Sequence, residues 1–159
     1  MSKVISIGNQ GFEDIRKNDN FYVDKTDFIR EWWESRDIVT LITRPRRFGK
    51  TLNMDMLKCF FSNRYAGRSD LFEGLSIWKE EKYRELQGQY PVIFLSFANV
   101  KEGNVEAAKM QMKALIARMY EENRFLLEGN LLSENEKKMY RNVTIYMSDV
   151  EAVIAISTM

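Results

Sequence analysis

The sequence predicts an α/β fold: a mostly parallel sheet flanked by helices. Three observations carry this expectation. Ile38-Val39-Thr40-Leu41-Ile42 and Pro91-Val92-Ile93-Phe94-Leu95-Ser96-Phe97 are near-continuous apolar runs, the composition of strands buried on both faces. Between and after them, apolar residues recur at helical spacing. A tight basic loop, Thr43-Arg44-Pro45-Arg46-Arg47-Phe48-Gly49-Lys50, joins the first run directly to one of those helical stretches.

Taken in order, Gly8 to Asn20 reads as a loop with one helical turn carrying Phe12 and Ile15. Asp24 and Thr26 are both N-cap residue types for a helix from about Lys25 to Ser35. That helix gathers Phe28, Ile29, Trp32 and Trp33 largely on one face, and the two tryptophans read as core anchors. After the first apolar run and the basic loop, Thr51 to Phe61 reads as an amphipathic helix. Ser62 to Asp70 is rich in turn residues, Leu71 to Trp78 is a compact apolar connector, and Lys79 to Leu86 is a short charged helix. Proline opens the second apolar run, where a strand tolerates it. Asn104 caps a long helix reaching about Asn123, and Ser133-Glu-Asn-Glu136 has the form of a capping box. Ser148 to Met159 reads as a last helix with a large apolar face.

The basic loop holds the chemistry. Gly49 lacks a Cβ, so the backbone there can turn sharply and bring its N–H close to an anion. The helix that follows points unpaired N–H groups and the positive end of its dipole at the same place. Lys50 would reach the β- and γ-phosphates of a nucleotide, and the Thr51 hydroxyl would bind Mg²⁺. Arg46, Arg47, Phe48, Gly49, Lys50, Thr51 and Leu52 make up the expected nucleotide contacts, with Lys50 as the catalytic residue. The general pattern G-x-x-x-x-G-K-[ST] asks for glycine where this chain has Arg44, so only Gly49-Lys50-Thr51 matches it. The same residues also fit a plain strand-to-helix turn capped by Gly49 and Thr51, with Arg44, Arg46 and Arg47 as a solvated patch.

Arg44-Pro-Arg-Arg-Phe-Gly-Lys-Thr51, the upstream Tyr22-Val-Asp-Lys-Thr26 and the Pro91–Phe97 run together resemble the AAA-ATPase-like family of bacterial P-loop proteins. That family carries arginine at the first glycine of the loop, so the departure at Arg44 agrees with the resemblance, which runs from about Ile7 to the end of the chain. It implies a P-loop NTPase-like fold, ATP with Mg²⁺ as the ligand, and a protein that continues well beyond this length. It also makes Tyr22 to Thr26 a segment for base contact or for support of the loop. In these terms residues 1–159 are the N-terminal part of one domain: 1–36 an N-terminal segment and helix, 37–62 strand, loop and helix, and 63–159 the remaining strand and helices.

Composition narrows the alternatives. The chain of 159 residues is 45% hydrophobic and 13% aromatic, enough to build a core. Net charge is +1, so no overall field favours nucleic acid or an anionic membrane. Histidine is absent, which removes Ser-His-Asp and Cys-His hydrolases. Cys59 is the single cysteine, so no internal disulfide forms. No run has the length of a membrane span and the N-terminus has no long apolar stretch, so a cytoplasmic protein is the expectation.

A hydrolysing P-loop enzyme needs an acid at the end of a second apolar strand to hold Mg²⁺, and a group to orient water. The run Val92–Leu95 meets Ser96 instead, and Asp149 reads as a helix N-cap rather than a metal ligand. The sequence therefore predicts a nucleotide-binding front portion, truncated before its Walker B acid, that binds ATP without turning it over. It also predicts self-association, or a further C-terminal region that covers the exposed strand edge and the last helix. A non-catalytic module holding another phosphate, such as a nucleic-acid backbone, through Arg44, Arg46 and Arg47 is the alternative. No basic stripe with interleaved aromatics supports it. A protein-interaction fragment using the Trp32/Trp33 face or the last helix is the third reading.

Overall fold

The computed structural model describes residues 3–45 and 48–158. Its elements are helices: α1 Phe12–Lys17, α2 Asp27–Ser35, α3 Lys50–Phe61, α4 Glu81–Arg84, α5 Val105–Glu122, α6 Glu134–Asn142 and α7 Asp149–Thr158, with short 3-10 turns between them. They divide into two compact units, Met1–Val92 and Ile93–Met159.

No strand or sheet is present among the described residues, which overturns the α/β, P-loop NTPase-like architecture with its mostly parallel sheet. Ile38, Val39 and Leu41, expected inside a buried strand, are 101%, 83% and 81% exposed. Ile93 and Phe97 of the second run are also exposed. The ladder-type contact that does form is an isolated parallel bridge between Ser62 and Tyr90. The reason is physical. A β-branched run states that its side chains fit a half-buried pleat. It says nothing about the second strand that must take its N–H and C=O groups, and neither run has one here.

The N-terminal unit buries its apolar surface through aromatic side chains instead. Helix α3 contributes Met56, Cys59, Phe60 and Phe61, and the Leu71–Trp78 connector contributes Leu71, Phe72, Leu75 and Ile77. Phe12 of α1 is fully buried, edge-on to Tyr22 at 5.4 Å and stacked on Phe72 at 5.2 Å. Trp32 and Trp33 of α2 both lie on Phe61, at 5.3 and 5.4 Å, and are core anchors as the sequence indicates. The short helix α4, expected to be solvated, turns Tyr83 inward to 1% exposure. Behind α3 the chain returns through Gly88, whose N–H donates to the Phe60 carbonyl at 2.8 Å. Gly88 has φ +72°, and a Cβ there would stand 2.5 Å from Ala66 Cα. Glycine is required at this close approach. Burial also pushes the Cys59 thiol up to about 12.

The C-terminal unit is built from α5, α6 and α7 around Ile116, Met119, Tyr120, Tyr140, Met147 and Ala155. Asn104 caps α5, accepting the Ala107 N–H at 2.9 Å, and Ser133 with Glu136 forms the capping box of α6, both as the sequence indicates. Tyr140 Oη donates to the Tyr120 carbonyl at 2.5 Å, and Tyr120 Oη donates to the Ala155 carbonyl at 2.8 Å, so two tyrosines tie the three helices together. The cap of α7 differs from the expectation. Ser148 and Glu151 form it, exchanging hydrogen bonds of 2.7 and 3.2 Å. Asp149 instead pairs with Lys109 and Lys113 of α5 at 2.9 and 2.8 Å. On α7, Val150, Val153, Ile154 and Ile156 remain exposed.

Candidate phosphate-binding loop

Gly49 immediately precedes α3 in a left-handed conformation, φ +75° and ψ +19°. A side chain is disfavoured at that φ, so glycine is what lets the chain turn from the basic loop into the helix. The turn carries no side-chain cap. The first N–H groups of α3 therefore stay open toward the loop, while its carbonyl ladder begins with Asn53 N–H donating to Gly49 at 2.9 Å. Lys50, the first residue of α3, curls back, and its Nζ donates to the Arg44 carbonyl at 2.6 Å. The lysine side chain thus reaches from the first residue of α3 back to Arg44.

The sequence-predicted residues fall together as far as they are described. Arg44, Phe48, Gly49, Lys50, Thr51 and Leu52 occupy one loop and the first turn of one helix. Arg46 and Arg47 lie outside the described residues. Phe48 is 60% exposed, and Leu52 packs against the N-terminal core and anchors the helix start. Thr51 is half-buried, and its hydroxyl makes no hydrogen bond among the described residues. Those residues hold no cluster of three His, Cys, Asp or Glu side chains suited to a metal. A threonine hydroxyl at a helix start is the donor set that suits Mg²⁺ carried in by phosphates and keeping several waters.

The carboxylate nearest in sequence is committed elsewhere. Asp55 Oδ2 accepts the Phe12 N–H at 2.8 Å, and its Oδ1 pairs with Lys58 at 2.5 Å. Asn53, on the same helix, keeps a buried Oδ1 without a hydrogen-bond partner among the described residues.

A second segment approaches the start of α3. Neither Asp24 nor Thr26 caps α2 through its side chain. Asp24 Oδ1 instead accepts from the Thr26 N–H and hydroxyl at 2.9 and 2.6 Å, and its Oδ2 accepts the Ser76 N–H at 2.7 Å. Thr26 is fully buried, and its Oγ1 accepts the Ile77 N–H at 3.2 Å. Tyr22 Oη reaches Met56 Sδ of α3 at 3.3 Å. Between these fixed points stands Lys25, whose Nζ lies 3.8 Å from where a Cβ would stand on Gly49. Sequence reasoning marked the Tyr22–Thr26 segment but did not single out Lys25. No spacing rule links it to the glycine loop.

A family model described as Predicted AAA-ATPase matches residues 6–156. The chain belongs to this AAA-ATPase-like family. The protein described as "Uncharacterized protein in vnfD 5'region" of Azotobacter chroococcum mcd 1 is 38% identical over 96 residues, a stretch that is 60% of this chain and 17% of that protein. The matched stretch is thus a minor part of the length of that protein. No solved structure matches it. No helix among the described residues is long and apolar enough to cross a membrane.

Proposed function

We propose that the Arg44–Leu52 loop and the start of α3 bind the polyphosphate of ATP as its Mg²⁺ complex, as the nucleotide-binding part of an AAA-type ATPase. The observation that carries this reading is the left-handed Gly49 opening a twelve-residue helix toward a loop that already holds an ammonium group. An anion entering there meets the free N–H groups and dipole of α3, and Lys50 exchanges the Arg44 carbonyl for phosphate oxygens. Thr51 supplies an oxygen to the metal that the phosphates bring. Arg46 and Arg47 add positive charge to the same loop. Membership of the AAA-ATPase-like family supports the nucleotide class.

The same reading assigns binding, not turnover, to this chain. Hydrolysis requires a carboxylate or amide that orients water against the γ-phosphate. Asp55 is taken by Phe12 and Lys58, and Asp149 by two lysines.

Calorimetric titration of the chain with MgATP tests the proposal. Lys50→Ala should weaken binding more than tenfold, or about 1.4 kcal/mol. Thr51→Ala should cost more with Mg²⁺ present than in metal-free buffer. Equal affinity for wild type and Lys50→Ala rules the site out.

A further inference from the structure

We infer that Lys25 is a second cationic ligand of the bound polyphosphate, delivered to the loop from outside the Gly49-Lys50-Thr51 motif. The inference rests on the nucleotide reading of that loop and names a residue that reading does not use.

Three features place Lys25 there. Its neighbours are pinned: Asp24 by Thr26 and Ser76, and Thr26 by complete burial and by Ile77. Its own backbone N–H approaches Tyr22 Oη at 3.4 Å, and that hydroxyl touches Met56 of α3. The turn that carries Lys25 is thereby braced against the helix that carries Gly49. The side chain then runs to Gly49, where its Nζ lies 3.8 Å from the point at which a Cβ would stand.

An exposed lysine with no partner ordinarily keeps its rotamer freedom, because ordering it costs up to about 2 kcal/mol. Here the Lys25 ammonium makes no hydrogen bond or ion pair among the described residues, and it still converges on the one glycine whose backbone conformation opens α3. Gly49 opens α3, so the positive end of that helix dipole faces the same place, and Lys50 is the next residue in the chain. An anion bound at the start of α3 would be within the field of both this ammonium and the helix dipole. A compact ammonium suits that role, since it can serve phosphate oxygens as a point charge.

The test is calorimetric titration of wild type, Lys25→Met, Lys25→Arg and Lys50→Ala with AMP, ADP and ATP in the presence of Mg²⁺. A phosphate ligand acts according to how much phosphate is present. Lys25→Met should therefore weaken ATP about tenfold, ADP less, and AMP little, while Lys25→Arg restores most of the ATP affinity. Because Lys25 is exposed, the melting temperatures of both Lys25 variants should match wild type. An equal loss for all three nucleotides would assign Lys25 to the base or sugar and overturn the inference. So would wild-type ATP affinity in Lys25→Met while Lys50→Ala has lost it. If wild type binds none of the three, the nucleotide reading itself fails, and this inference falls with it.

Discussion

Asp55, in the middle of α3, accepts the backbone N–H of Phe12, the first residue of α1, at 2.8 Å. The helix that opens at the basic loop is thus also the N-terminal cap of the first helix. Its carboxylate does for α1 what Gly11 has no side chain to do. Asp55→Ala removes the acceptor of the Phe12 N–H and one partner of the Lys58 ammonium. It should destabilise the N-terminal unit by about 1–3 kcal/mol, read as a lower urea midpoint at unchanged m-value. Asp55→Asn should recover part of the loss and leave the Mg²⁺ dependence of ATP binding as in wild type. A Mg²⁺ dependence that disappears in Asp55→Asn would make this carboxylate a metal ligand instead.

The ring cluster predicts a larger effect. Phe60 is fully buried, edge-on to Phe61 at 5.0 Å and to Phe72 at 5.0 Å. Phe60→Ala removes a side chain that neighbours on several segments cannot follow inward. The expected cost is about 3–5 kcal/mol in chemical denaturation. Phe60→Leu should cost markedly less, since it keeps most of the volume. Similar losses for the two variants would show that the site relaxes freely and that the cluster is loosely packed.

Acid should weaken the N-terminal unit in a defined window. Lys17 at 2.6 Å and Arg68 at 2.8 Å, with the Tyr65 hydroxyl at 3.1 Å, hold the Glu13 carboxyl down to about 2 from 4.5. A depressed carboxylate contributes stability that is fully present above its unfolded value and is lost as pH falls toward the folded one. The urea midpoint should therefore decline between about pH 5 and pH 2. Glu13→Gln should make that decline shallower. A pH profile of Glu13→Gln parallel to that of wild type would place the titration on other carboxylates.

Much of the local structure is legible in the sequence alone. The Asn104 cap and the Ser133–Glu136 box are short-range devices, visible as residue types at fixed offsets. Phe12 with Ile15, and Trp32 with Trp33, were recognisable as inward-facing positions of their helices. What failed was the part that depends on distant partners. Ile38–Ile42 has the composition of a strand, but a ladder needs a second segment in register, which no local pattern encodes. Aspartate is a capping type, which makes Asp149 the expected cap of α7. Ser148 sits one position earlier with a glutamate at the right offset, and two lysines on α5 claim the aspartate. In the candidate site, Gly49, Lys50 and Thr51 were found by their motif. Lys25 was not, because its approach to Gly49 is created by the Asp24–Thr26–Ser76 hydrogen bonds and has no signature in spacing.

The placement of the tryptophans divides the molecule optically. The chain has three, Trp32, Trp33 and Trp78, and all belong to the unit that carries the basic loop. Two of them rest on Phe61, the last residue of the helix whose first residue is Lys50, and the third stacks on Phe72. The other unit absorbs only through Tyr120, Tyr140 and Tyr146 and through its phenylalanines. Indole emission from the unlabelled protein is therefore a private channel to the loop-bearing half. Phenol signals are not divided in this way, because Tyr22, Tyr65, Tyr83 and Tyr90 share the loop-bearing unit.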